Sequence, residues 1–217
     1  MKSKNITRES HFCKSCFKEI RLTPIRSFIE REPILCDDCL SSVIKELASE
    51  EMFGIKVISL SRYDGIIKRW LFSYKELGDI ELAPCFLFPF LPIIRLFFKR
   101  YVFVPLPSLK ERSQKRGFIH LNEMLKASGL PFIDVLEKNK GQEQKELSVD
   151  ERLKKKGIEF SGREEQIKGK NIVLFDDVVT TGSTLKESLD VINSHNPKHV
   201  KALILMNNHD SPAKRIK

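Results

Sequence analysis

Apolar positions along the chain alternate between unbroken runs and helical stripes. The clearest run is Ile172–Phe175, four apolar residues in a row, as in a parallel strand buried on both faces. Tyr101–Pro105 and Val200–Met206 read the same way, and 54–60, 132–136 and 157–162 are shorter strand candidates. Helical periodicity predicts helices over 37–50, over 66–78 closed by Gly78, over 117–130 ending at Gly129, and from Leu185 onward. Trp70 and Tyr74, four apart, share one helix face and are read as core. Strands alternating with helices predict an α/β domain, a mostly parallel sheet with helices on both faces.

Two stretches fit no regular period. Leu82–Phe98 is the most apolar part of the chain, but Pro84, Pro89, Pro92 and Arg95 interrupt it. It is expected to pack inside the fold rather than span a membrane, with peripheral membrane contact as the lesser alternative. Lys138–Lys156 is charged and long for a loop in a compact domain, and is expected to act as a lid over a site.

The chemistry begins where the Ile172–Phe175 run stops. Asp176 and Asp177 follow at once, then two valines, then Thr180-Thr181-Gly182-Ser183-Thr184, which leads into an amphipathic helix. A phosphate fits where such a turn meets a helix, because the first backbone N–H groups lack partners and the helix dipole favours an anion. Gly182 permits close backbone approach and the hydroxyls add donors. Carboxylates repel that phosphate; they suit sugar hydroxyls or a magnesium-bound diphosphate about one ribose away. After Tyr101–Pro105, four of the seven residues in Lys110–Arg116 are basic. A basic loop at the carboxyl end of a parallel strand could grip a diphosphate through Arg112, Lys115 and Arg116; alone, it reads equally as an exposed charged loop.

At the other end, Cys13-x-x-Cys16 and Cys36-x-x-Cys39 have the spacing of a four-cysteine zinc site, each pair supplying one knuckle of a tetrahedron. A redox dithiol and an iron–sulfur cluster are the alternatives. Cys85 has no paired neighbour and is expected to be free. A segment this small buries little core, so residues 1–50 are read as a zinc-binding domain and 51–217 as the main domain. The first residues carry no apolar signal core, which predicts a cytoplasmic protein. Lys and Arg number 38 against 29 Asp and Glu, a net charge of +9 spread along the chain. Such an excess suits polyanions: phosphate ligands, nucleic acid or an anionic membrane surface. The densest triplet, Lys154–Lys156, is the expected place for a nucleic-acid backbone to touch outside the sugar site.

The stretch 172–184 resembles the signature of the type I phosphoribosyltransferases, which bind 5-phosphoribosyl 1-diphosphate (PRPP). The resemblance implies that Asp176 and Asp177 meet the ribose hydroxyls and that Thr180, Thr181, Gly182, Ser183 and Thr184 cradle the 5-phosphate, with magnesium on the diphosphate. Together with the four cysteines, Pro105-Leu106-Pro107, Arg116-Gly117-Phe118 and the Gln144–Arg152 pattern, the chain resembles the ComF family of competence proteins. That implies a PRPP-binding, DNA-handling accessory role in natural transformation, with single-stranded DNA and other competence proteins at the inner membrane face as partners. The alternatives are an active transferase moving the phosphoribosyl group to a nucleobase or other nucleophile, and an adaptor with a vestigial sugar site. Where the family shows Asn-Gln, this chain has Ile119-His120, and His120 is expected on a helix surface.

Overall fold

A computed structural model describes residues 11–20, 32–139, 157–207 and 214–215. Its centre is a six-stranded sheet in the order β10-β3-β4-β9-β8-β5. The strands are β3 (Lys45–Met52), β4 (Ile55–Arg62), β5 (Tyr101–Pro105), β8 (Asn171–Val179), β9 (His199–Asn207) and β10 (Lys214–Arg215). Neighbours from β4 to β5 are parallel, whereas β3 pairs antiparallel with both β4 and β10. The sheet is therefore mixed, its parallel half carrying the apolar runs. Ile172, Val173, Leu174 and Phe175 on β8 are all fully buried. Successive strand side chains point to opposite faces, so both faces of β8 are covered.

The helices are α1 (Asp37–Ser41), α2 (Gly65–Glu76), α3 (Ala83–Leu87), α4 (Leu91–Phe97), α5 (Lys110–Arg116), α6 (His120–Ser128) and α7 (Ser183–Asn193). On α2, Ile66, Ile67, Trp70, Leu71 and Tyr74 are buried, the stripe that its period predicts. Pro84, Pro89 and Pro92 do not break Leu82–Phe98 into coil. Each sits in the first turn of a new short helix, where its missing N–H costs nothing. Cys85, Phe86, Leu87, Phe90 and Ile94 from this stretch are fully buried. Ile80–Phe97 is long and apolar enough by composition to cross a membrane, and 44% of it is buried in this fold.

Several expectations change. The helix expected over 37–50 stops at Ser41, and the chain turns into β3, which pairs along β4 through Ser49↔Ile58 and Glu50↔Val57. The period of the following residues is that of a strand half-covered by the sheet, and pairing with β4 decided it. Residue 50 therefore falls inside a strand of the main sheet. The basic stretch Lys110–Arg116 is a helix, α5, closed by Gly117 in the left-handed region. The strand expected at 132–136 forms instead at Leu136–Asn139 (β6), paired antiparallel with β7 (Gly157–Phe160). Most of the expected lid, including Gln144, Arg152 and Lys154–Lys156, lies outside the described residues.

At the N-terminus, β1 (His11–Phe12) and β2 (Glu19–Ile20) form a small hairpin that carries the first knuckle. Cys13, Leu35, Cys36 and Cys39 are buried in the same apolar cluster as Trp70, Cys85 and Phe86. Trp70 Nε1 donates to Ser15 Oγ at 2.8 Å, and Lys14 pairs with Glu81. The knuckle is packed onto α2 and the segment before α3.

Candidate sugar-phosphate cleft and four-cysteine centre

The residues that follow the parallel strands converge. The β8–α7 turn, the β5–α5 segment and the end of α2 enclose a cleft of about 1410 Å³. Asp176, Asp177, Thr180 and Thr184 line it together with Arg112, Lys115 and Arg116. Thr181, Gly182 and Ser183 form the turn joining Thr180 to Thr184. All ten sequence-nominated residues thus fall at one end of the sheet, where doubly wound folds place ligands.

β8 runs further than its apolar core, to Val179, so both carboxylates are strand residues and point to opposite faces. Asp177 is 4% exposed. It pairs with Lys75 from α2, and its Oδ2 lies 3.5 Å from His120 Nε2. Its Oδ1 accepts the Val178 N–H at 2.9 Å. Burial alone would raise its pKa; the His120 hydrogen bond and the Lys75 charge outweigh burial and hold it below the usual carboxylate range. Asp176 is half-buried and accepts the Asp177 N–H at 2.9 Å. Burial first, then the Asp177 charge, push its pKa well above the usual value.

Gly182 caps the N-terminus of α7 with φ of +74°. A Cβ there would lie 3.1 Å from Met52 Cε and from the Phe53 ring, so the side chains of the β3–β4 hairpin tip would have to shift to admit one. In the turn, Thr181 Oγ1 lies 3.3 Å from Ser183 Oγ. Lys138 from β6 donates to Thr184 Oγ1 at 3.3 Å, which brings a cation beside the first turn of α7. Arg116 donates from Nε to the Lys75 carbonyl at 3.1 Å, while its buried Nη1 has no hydrogen-bond partner.

Sequence reasoning missed Lys68 and Lys75, and named Lys138 only as the start of a lid and His120 only as a helix-surface residue; all four line the cleft. Lys68 and Lys75 are seven apart on α2 with Phe72 between them, a helical stripe opposite the core that was legible but unclaimed. His120 is not on a surface: it is 5% exposed. Its ring is held between Ser108 Oγ, 3.3 Å from Nδ1, and Asp177. A helix N-terminus packed against a strand end turned the expected exposed face inward.

The Sγ atoms of Cys13, Cys16, Cys36 and Cys39 lie within 4.8 Å of one another. Cys16 and Cys36 Sγ are 3.6 Å apart, close to the separation set by two Zn–S bonds of about 2.3 Å in a tetrahedron. Burial pushes the Cys39 thiol up to about 12. Such a cluster holds thiolates only if a cation balances them, so the donor set fits zinc. Cys85 is buried and free.

Residues 114–217 match the phosphoribosyl transferase domain family. The chain is 29% identical over 173 residues to competence protein ComFC of Streptococcus pneumoniae, covering 79% of this chain and 74% of that protein. It is 28% identical over 177 residues to competence protein ComFC of Bacillus subtilis, covering 80% and 72%. A solved phosphoribosylpyrophosphate synthetase from Mycobacterium smegmatis aligns with a TM-score of 0.32 at 16% identity, over 53% of this chain. The chain spans about a third of that synthetase, 32% of its length.

Proposed function

We propose, from the premise that the chain is a phosphoribosyltransferase-fold protein of the ComF competence type, that its cleft binds PRPP or a related 5-phosphosugar and that the protein handles single-stranded DNA during natural transformation. The observation that carries the sugar reading is the charge layout of the cleft. Six cations, Lys68, Lys75, Arg112, Lys115, Arg116 and Lys138, line it against three carboxylates, Asp176 and Asp177 of β8 and Glu76 of α2. The N-terminus of α7 and Lys138 offer a monophosphate site, and Arg112, Lys115 and the unpartnered Nη1 of Arg116 offer a diphosphate site. Asp176 and Asp177 line the same cleft, where a ribose would present hydroxyls. The hard oxygen donors of the acidic pair also fit magnesium, which would neutralise the diphosphate. At the four cysteines, zinc would serve folding rather than chemistry.

Calorimetry with PRPP and magnesium tests the sugar reading. Binding is expected for the unaltered chain, and Arg116→Ala should weaken it by roughly 1.5–3 kcal/mol, the range for a charge-assisted hydrogen bond. Unchanged affinity in both Arg116→Ala and Arg112→Ala would reject the diphosphate end. Adding nucleobases while following diphosphate release separates binding from transfer: turnover would make the chain an active transferase.

The DNA reading rests on the competence relatives and on the basic surface. Affinity for an unstructured oligonucleotide should fall steeply with salt, since backbone phosphates release counterions. Replacing Lys154–Lys156 by Ala should flatten that slope and spare PRPP. Fluorescence anisotropy at two salt concentrations measures this; no binding at low salt would remove DNA as a direct partner. The same reading places the protein in the cytoplasm, at the inner membrane face with other competence proteins.

A further inference from the structure

One helix joins the four-cysteine centre to the cleft. The inner face of α2 buries Trp70 and Tyr74, while Lys68, Phe72, Lys75 and Glu76 of the same helix line the cleft. The knuckle holds the inner face. Trp70 Nε1 donates at 2.8 Å to Oγ of Ser15, which lies between Cys13 and Cys16. Lys14 of the same loop pairs with Glu81, just after α2. The knuckle thus grips the helix and the segment that follows it at two points. From Trp70 the contacts run on toward the cleft. Its ring meets Phe86 edge-on at 6.2 Å, and Phe86 meets Tyr74 at 5.1 Å. The Tyr74 hydroxyl donates to the His120 carbonyl at 2.8 Å. One residue further, Lys75 pairs with Asp177, and its carbonyl accepts from Arg116 Nε.

We infer that Ser15 and Trp70 are positioning residues for the cleft, so that metal at the four cysteines tightens sugar-phosphate binding through α2 without touching the ligand. Cys13, Ser15, Cys16, Cys36, Cys39 and Trp70 do not line the cleft, so the effect has to travel through packed side chains and a stiff element. A helix is such an element, and Trp70 and Lys75 stand about 7.5 Å apart along its axis at 1.5 Å per residue. Zinc supplies the anchor at the other end. Four thiolates repel one another unless a cation sits between them, so metal is what fixes the loop of Ser15 against Cys36 and Cys39. Trp70 is 4% exposed, and a buried indole N–H that loses a fixed acceptor drives its side chain to find another. Any shift of Trp70 changes how Lys68 and Lys75 reach into the cleft. Linkage makes the relation reciprocal: a phosphosugar that binds better when metal is present must tighten the metal by the same factor. The ligand rests on the sugar-phosphate reading of the cleft; the coupling rests on the chain's own contacts.

Three readouts on the full chain, all taken below its melting temperature, test this. The first is calorimetric affinity for PRPP with magnesium. Protein stripped of zinc and then freed of chelator should bind at least about fivefold more weakly than the loaded chain, the lower end of ordinary couplings between sites. Ser15→Ala, which keeps all four thiols, should lose about threefold, less than one full hydrogen bond, and carries the comparison if the stripped chain does not stay folded. Val173→Ala, a buried truncation near the start of β8, costs stability but should bind like the unaltered chain, so a softer fold does not explain the loss. The second readout is zinc affinity, by competition with a chromophoric chelator. PRPP and magnesium should raise it by the same factor, at a concentration that saturates the unaltered chain but not Arg116→Ala, where no rise is expected. A knuckle that only stabilises the fold would leave this unmoved. The third needs no ligand. Brief treatment with acetic anhydride, read by mass spectrometry, gives the labelling of Lys75 relative to Lys126 on α6. Removing zinc, or Ser15→Ala, should raise that ratio severalfold as the Asp177 pair loosens. Equal PRPP affinity with and without zinc and in Ser15→Ala, with zinc affinity blind to PRPP, overturns the coupling. If the unaltered chain binds no PRPP, the sugar reading fails by itself, and an unchanged Lys75 ratio would then show that α2 does not answer the knuckle.

Discussion

Removing the metal from the N-terminal cysteines should lower the melting temperature of the whole chain rather than release a small separate piece. Cys13, Cys36 and Cys39 are buried in the cluster that holds Trp70, Cys85 and Phe86, and Trp70 is bonded to Ser15 in the first knuckle. Structural zinc contributes about 10–16 kcal/mol in isolated finger peptides. If even about 3–4 kcal/mol of that reaches the main core, a chain of this size should melt roughly 6–16 °C lower after chelation, at about 2–4 °C per kcal/mol. The chain has one tryptophan, so its fluorescence reports this contact directly. Cys39→Ser should copy the effect of chelation, and elemental analysis of the unaltered protein should find one zinc per chain. A melting curve untouched by chelation, with the Trp70 signal also unchanged, would show that the knuckle folds apart from the sheet.

The second large effect is expected at Gly182. Its φ of +74° costs an L-residue about 1–2 kcal/mol, and a β-branched residue more. A Cβ there is also crowded by the Met52 and Phe53 side chains at 3.1 Å, which would have to shift. Gly182→Val should therefore pull the turn away from α7 and misdirect the backbone N–H groups a phosphate would use. Loss of two such bonds, at about 1 kcal/mol or more each, predicts a PRPP affinity at least about tenfold weaker, with Gly182→Ala intermediate. Thr181→Ala, which leaves the backbone alone, should cost less than either. Calorimetry across the three variants gives the order, and a Gly182→Val chain that binds like the unaltered one would remove this turn from the site.

Much of this site was open to reading in one dimension because its parts are local. The Asp176–Thr184 turn follows directly from a strand that stops being apolar, and a helix that starts after glycine needs no distant partner to be recognised. The paired cysteines are local in the same way: two residues between thiols leave few geometries other than a knuckle. Apolar periodicity over α2, α7 and β8 was strong enough to survive folding unchanged, because burial is what created it.

Other features were decided only by tertiary contact. Residues 45–52 became a strand because β4 offered a free edge, and the basic stretch 110–116 became a helix where its charges alone permitted either form. His120 and Lys75 carry no local sign of their role; they meet Asp177 across separations of 57 and 102 residues in the numbering, through packing of α2 and α6 against the end of β8. Glycine at 182 was expected for its backbone freedom, but the hairpin tip that closes over it comes from β3 and β4. A sequence displays the groups able to bind an anion, because that chemistry resides in residue types and short spacings. Which of two adjacent carboxylates is sealed by a lysine and a histidine depends on the faces of a strand and the approach of two helices, and only the packed chain contains that information.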